Sequence, residues 1–326
     1  MSHFVLLITA MFAANFAWAQ SKGTSVGSIA GAPLTKNSFS NSLELGFGRK
    51  NLGMRTDYND KDSVEFNPNT PGSTALTWAN RKLGLALTAT IGRSSSDEDK
   101  LKKIQTSYQD YQVRYFTRNF GFEVLYQDYQ GFETEATNND VKALMTDAEK
   151  NQSELRIQNY QAQFDWAFQG VSSLELFASS WEKPRQDGAG YYVIGTMSHT
   201  RISNPTSFLP QELDALGQDQ GMKDARITTS TVGVGASYVW QWSNLYIAGL
   251  MSLQAGPQLQ QFETEAGSRT DLKATWFPQF KAVVGYDWGR FYTNITVHYH
   301  SVRAETDDTK TNINSQDVAI NFGSRF

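Results

Sequence analysis

The 326-residue sequence has a formal net charge of −4, no cysteine and 13% aromatic residues. The lack of cysteine excludes a disulfide scaffold, a thiol nucleophile and a cysteine-ligated metal, and a mild charge without a basic patch argues against nucleic acid as a partner. A mean hydropathy of −0.47 is that of a soluble protein, yet it also suits a membrane barrel in which only alternate residues meet lipid.

From the N-terminus, Phe4 to Trp18 is a short apolar stretch, and Ala17-Trp18-Ala19 has the small-x-small form of a signal-peptidase site before Gln20. The stretch is too short to span a bilayer. Residues 1–19 are therefore expected to be a removed secretory signal, and residues 20–39, rich in Ser, Gly, Ala and Thr, a flexible periplasmic leader.

Residues 40–326 form a series of alternating runs separated by turn signals. Leu43, Leu45 and Phe47 share one face of the first run, and Leu83, Leu85, Leu87, Ala89 and Ile91 line another. Tyr111, Val113 and Tyr115 alternate with Gln112 and Arg114, and Phe120, Phe122, Val124 and Tyr126 follow a tight turn at Arg118-Asn119. Tyr160, Ala162, Phe164, Trp166 and Phe168 oppose Gln161, Gln163 and Asp165. Later runs repeat the pattern at Val232–Trp240, Trp276–Trp288 and Phe291–His300. One such run is weak evidence, because any half-buried antiparallel strand alternates. Many of them, longer than the about 5–6 residues of soluble strands, point to a transmembrane antiparallel β-barrel.

The turns at Trp240–Asn244 and Asp287–Arg290 are short and aromatic-flanked, as periplasmic turns are, whereas 134–153 and 203–225 are longer, polar and acidic, as extracellular loops are. Val141, Leu144, Met145 and Ala148 sit at helical spacing within the first of these loops. The expected count is about fourteen strands, or about twelve if the short runs at Val64–Phe66 and Thr74–Trp78 do not both span. Strand directions counted from the two ends disagree by one across the runs at 155–168, 172–184 and 189–200. That disagreement implies an irregular strand between Ile202 and Leu213, or a periplasmic 203–225 loop.

The chain closes on DVAINFGSRF, where Val318, Ile320, Phe322 and Phe326 share one side of a strand. Outer-membrane β-barrels of Gram-negative bacteria commonly finish on such a strand with an aromatic last residue. Phe326 is accordingly expected to be the signal read by the barrel-assembly machinery. Outer-membrane lipids and lipopolysaccharide are the other expected partners.

The runs VEFNPNTPGSTALTWANRKLGLAL (64–87), GFEVLYQDYQGFE (121–133), FASSWEKPRQDGAGYYVIG (177–195) and VVGYDWGRFYTN (283–294) occur in this order before GSRF. Together they resemble domain-of-unknown-function family four-four-two-one, a bacterial outer-membrane family, over about residues 40–326. Pro68-Asn69, Gly131-Phe132, the Gln186 segment and Gly285-Tyr286 carry the resemblance. It implies an outer-membrane barrel and supplies no activity, so it transfers no catalytic residue.

Inward-facing positions follow from the alternation. Glu44, Arg114, Glu123, Gln127, Gln161, Gln163, Asp165, Glu175, Gln279, Lys281, Asn321 and Arg325 should face the lumen, with His298 and His300 beside them. Such charges either pair and block the interior or line a hydrated channel for small polar solutes, the leading expectation for function. His298 and His300 lie two apart and project to one side, but a metal site needs three or more ligands. No metal, cofactor or catalytic residue is therefore assigned.

An outer-membrane lipid hydrolase is the first alternative. His199 shares its side with Met197 and Arg201, neither a nucleophile, while Ser198 and Thr200 point oppositely. That alternative therefore needs a serine or threonine from a neighbouring strand. A structural or adhesion barrel acting through its long loops is the second. Asp60, Asp62, Asp97-Glu98-Asp99, Asp307-Asp308 and the acidic stretch Glu212–Asp219 read as solvated loop charge.

Overall fold

A computed structural model describes residues 39–326 except 59–61, 71, 93–103, 105, 171–187, 210–218, 220, 265–266 and 307–308. The expected signal, nearly all of the leader, the run at 172–184, Glu175 and most of the acidic loop residues lie outside these described residues. The remainder is a closed antiparallel β-barrel of thirteen strands. They are β1 (Asn41–Asp57), β2 (Ser63–Asn67), β3 (Ser73–Asn80), β4 (Leu85–Gly92), β5 (Ser107–Phe116), β6 (Phe120–Ala136) and β7 (Asn151–Gln169). There follow β8 (Gly188–Ser203), β9 (Asp224–Trp242), β10 (Leu245–Thr264), β11 (Gly267–Asp287), β12 (Phe291–Glu305) and β13 (Lys310–Arg325). β13 pairs with β1 from Ser42↔Arg325 to Asp57↔Lys310 and so closes the sheet, while β11 and β12 pair from Gln279↔His300 to Asp287↔Tyr292.

β7 pairs directly with β8, Tyr160 opposite His199, and no third strand stands between them. That removes the disagreement in strand direction. β8 runs outward, the 203–225 loop is extracellular, and neither a hidden strand nor a periplasmic loop is needed. In the 134–153 loop, α1 (Asn139–Leu144) and α2 (Asp147–Lys150) form, with Thr146 and Glu149 making a capping box on α2.

The short strands β2 and β3 share one place in the wall, both beside β1 at different heights. The β4–β5 hairpin fills the periplasmic half only, and above it β2 pairs with β6 directly. The periplasmic ring is thus β1, β3, β4, β5 and β6 to β13, twelve positions, while the extracellular half has β1, β2 and β6 to β13, ten positions, with β11 and β12 paired only up to Gln279↔His300. Fewer strands mean a narrower barrel.

β10 and β11 run 20 and 21 residues, well beyond the about 9–11 needed to cross a bilayer. The surplus projects above the membrane, and its polarity is reversed. On β1 the outer wall passes from Leu43, Leu45 and Phe47 to Arg55, while the inner wall passes from Glu44 and Lys50 to Leu52 and Met54. On β7 the outer wall passes from Trp166, Phe164 and Tyr160 to Arg156, and the inner from Gln163, Gln161 and Asn159 to Ile157 and Leu155. β9 does the same, with Val232 giving way to Arg226 outside and Thr229 to Ile227 inside. An apolar outer face belongs against lipid and a polar one against water. The reversal therefore marks the outer boundary of the membrane.

The contraction from twelve positions to ten is stitched by polar contacts. Asn69 N–H donates to Thr106 Oγ1 at 2.8 Å, Asn69 Nδ2 to the Ile104 carbonyl at 3.1 Å, and Thr70 Oγ1 to the Lys50 carbonyl at 2.9 Å. Thr106 Oγ1 in turn donates to the Gly131 carbonyl. Gly131 has φ +88° and lies at a bulge in the β6–β7 register between Gln130 and Phe132. Left-handed backbone suits glycine, and the extra residue turns the next side chain inward. Gln130 faces out, and Phe132 is fully buried.

Candidate functional site

The barrel interior is layered. At the periplasmic end, inward tyrosines Tyr192, Tyr246 and Tyr292 are buried against glycines of the next strand. Tyr246 lies opposite Gly285, where a Cβ would fall within its ring. Arg325 stacks over Tyr292 at 4.5 Å and pairs with Asp287 at 2.9 Å, closing this layer.

Above it comes the charged and amide layer. Arg114, Glu123, Gln161, Gln163, Asp165, Gln279, Lys281, His298, His300 and Asn321 all stand on the inner wall, while Glu175 lies outside the described residues. Arg114 Nε meets Glu123 Oε2 at 3.1 Å. Lys50 Nζ meets Asp110 at 3.0 Å and Asp317 at 3.7 Å. Lys281 and His298 are directly opposite across β11–β12, and His298 Nε2 approaches Gln279 Nε2 at 3.3 Å. Gln279 Nε2 also donates to Gln163 Oε1 at 3.1 Å, joining β11 to β7 from across the lumen. Asn321 donates to Asn294 at 2.8 Å. Charges taken out of bulk water are tolerable when paired like this.

The space left by these groups is a cavity of about 110 Å³, bounded by Lys50, Arg114, Glu123, Lys281, His298 and Asp317 among others. His298 and His300 approach with ring centroids 5.5 Å apart, and among the described residues no group of three potential ligands forms around them. Lys50, Asp110 and Asp317 were not picked out from sequence, although Lys50 continues the inward phase of Glu44 along β1.

The extracellular layer is apolar. Leu52, Met54, Val64, Phe66, Tyr129, Phe132, Leu155, Ile157, Ile202, Ile227, Phe262, Ala304 and Ile313 belong to one buried cluster drawn from every strand of the extracellular half except β11. Loop residues Met145, Phe208, Leu209 and Met222 join it. Phe208 meets Phe66 edge-on at 6.2 Å, and its carbonyl accepts from Gln152 at 2.8 Å. Asp219 was expected to be solvated and is instead buried, accepting hydrogen bonds from Thr306 at 2.5 Å and Thr309 at 2.8 Å. Those bonds hold its loop to the β12–β13 connection.

A second arrangement lies on the outer wall. Tyr111, Tyr126, Tyr160 and His199 form a continuous row of rings at the membrane boundary, with centroids 6.3, 4.9 and 6.5 Å apart. His199 Nδ1 lies 2.9 Å from Thr228 Oγ1 on β9. The hydroxyl comes from the neighbouring strand, so inspection of β8 alone misses it. Such a hydroxyl–imidazole pair resembles a nucleophile and base, but a working set also orients the base through its other nitrogen, and among the described residues no such group bonds His199 Nε2.

The sequence matches the family described as "Domain of unknown function (DUF4421)" over residues 35–326. No curated protein matches it. Among similar solved structures, the outer membrane protease OmpT from Escherichia coli has TM-score 0.41 and 6% identity, over 90% of this chain and 99% of that one. Ail, the attachment invasion locus protein of Yersinia pestis, has TM-score 0.26 and 10% identity, over 87% and 98%. The P. putida toluene transporter TodX has TM-score 0.24 and 9% identity, over 90% and 91%. Likenesses this slight carry no argument about what the present chain does.

Proposed function

The chain belongs to the DUF4421 family of outer-membrane barrels, and from that premise we propose that it is a sealed barrel acting through its outward surfaces rather than a standing pore. The buried apolar cluster across the extracellular half supports this reading best. Ions cross a hydrated path, and a contiguous layer of Leu, Ile, Met and Phe side chains interrupts one. A porin-like channel for small polar solutes draws support from the charged layer beneath. Those charges, however, are largely spent on each other, and Gln163 bonds Gln279 across the space a solute needs.

In this reading the interior supplies stability, while lipid, lipopolysaccharide or a surface partner is met at the outer wall and the loops. Phe326 acts in delivery to the assembly machinery, and the mature chain begins near Gln20 after removal of the signal. Mass measurement of the protein extracted from outer membranes checks that start. The function itself is tested by planar-bilayer recording of purified barrel. Silence across voltage is the expected result, and steady stepwise currents would establish the channel instead.

The contact between His199 and Thr228 favours a second reading, hydrolysis of membrane lipid. Release of fatty acid from phospholipid vesicles by the purified barrel, abolished in Thr228→Ala, would support it. Equal release by wild type and Thr228→Ala would remove it.

A further inference from the structure

Just above the ring row, the outer wall of β7, β8 and β9 carries three half-exposed arginines, Arg156, Arg201 and Arg226. Arg156 is occupied, its Nε donating to Asp128 at 2.8 Å and its Nη2 pairing with the same carboxylate. Arg201 and Arg226 are different. They stand directly opposite each other across β8–β9 and share a single carboxylate, Asp224. Arg201 meets Asp224 Oδ2 through Nε at 2.7 Å and through Nη2 at 2.6 Å, and Arg226 Nε meets Oδ1 at 2.8 Å.

Two like charges placed opposite each other on a strand pair repel, and one carboxylate balances only one of them. The other groups facing this spot are Gln158, Ser203 and Gln261, which are neutral, and Glu263, which stands directly opposite Asp224 across β9–β10. One step toward the membrane lie His199 and Thr228, a ring nitrogen and a hydroxyl able to donate.

We propose that Arg201 and Arg226, with His199 and Thr228 beneath them, bind the phosphate of a phosphorylated glycolipid in the outer leaflet. Height selects this occupant. The residues sit where the outer wall changes from apolar to polar, so a lipid whose chains lie along Met197 and Val232 brings its phosphate to the guanidiniums. Guanidinium N–H groups left over from Asp224 are donors of the kind that phosphate oxygens accept.

The test uses full-length barrel in detergent, titrated with diphosphoryl lipid A, its dephosphorylated form and inorganic phosphate. Wild type is expected to bind diphosphoryl lipid A at least tenfold more tightly than the dephosphorylated form. Arg201→Gln/Arg226→Gln should lose that preference, while Arg303→Gln, on the outer wall of β12, keeps it. Heat-modifiable migration on gels establishes that each variant is folded, and single Arg226→Gln replaces the double variant should the latter misfold. Equal binding of the two lipids by wild type overturns the proposal, as does a preference that survives in the variants. Inorganic phosphate competing as well as the lipid, mole for mole, overturns the lipid as the source.

Discussion

Replacing Phe132 by alanine separates a packed extracellular half from a wet one. The ring is fully buried, faces inward because of the bulge at Gly131, and belongs to the cluster that also holds Phe66, Leu155 and Ile157. In a packed layer, truncation loses the transfer free energy of the ring and leaves a cavity, together about 3–5 kcal/mol for Phe to Ala. Were the ring lining a water-filled lumen, truncation would act as a surface change and fall within about 0.5 kcal/mol. The two outcomes differ severalfold, well outside the error of a denaturant titration. Urea unfolding of barrel refolded into lipid vesicles, followed by tryptophan fluorescence, is the assay. Gln130→Ala, on the outer wall two residues earlier in β6, serves as the control and should be near neutral. A loss below about 1 kcal/mol for Phe132→Ala refutes the packed layer, and the sealed-barrel reading with it.

Opening the layer should create conductance: Phe66→Ser/Phe132→Ser/Leu155→Ser is expected to give bilayer currents that wild type lacks, unless the barrel fails heat-modifiable migration. Gly285→Val should prevent β10–β11 closure because its side chain collides with the Tyr246 ring, and Tyr246→Ala added to it should restore folded barrel on gels. Asn69→Ala removes one hydrogen bond of the seam, from Asn69 Nδ2 to the Ile104 carbonyl, about 1 kcal/mol. Amide exchange should then accelerate at Thr106 and Thr70 and stay unchanged at the β12–β13 pairing. Phe326 points outward, and its backbone N–H bonds the Asn41 carbonyl at 2.9 Å. Phe326→Ala should therefore refold normally in detergent yet accumulate less in outer membranes, and equal accumulation would remove its role in assembly.

The membrane-spanning half of each strand was readable because its apolar residues keep one phase. Tyr160 to Phe168 alternate cleanly, and the inward partners Gln161, Gln163 and Asp165 are polar. The extracellular half was not readable for the same reason. When Leu155 and Ile157 take over as the apolar positions, they fall on the opposite phase, and a reader who equates apolar with lipid-facing sees the pattern end. The narrowing was hidden because β2 and β3 are separate runs in sequence but one place in the wall. The 172–184 run alternates like a strand in sequence and lies outside the described residues, and the direct β7–β8 pairing is what resolves the strand directions. Thr228 escaped notice because a contact between strands depends on register, and register is set by pairing rather than by local pattern.

The residues that carry the family resemblance bear on where function lies. Pro68-Asn69 and Gly131-Phe132 meet at the seam, where Asn69 bonds Thr106 and Thr106 bonds the Gly131 carbonyl. Gly285 supports Tyr246 at the periplasmic end. Each of these has a complete structural reason to be what it is: to narrow the wall, to turn Phe132 inward, or to let a ring lie flat on backbone. The Gln186 segment lies outside the described residues, and the other signature residues build the seam and the periplasmic packing. Unpartnered donors inside, at Gln161, Gln163, Gln254 and Asn294, are buried, whereas the donors of Arg201, Arg226, His199 and Thr228 stand on the wall that meets the outer leaflet. On the sealed-barrel proposal, recognition by this protein is to be sought from the lipid side.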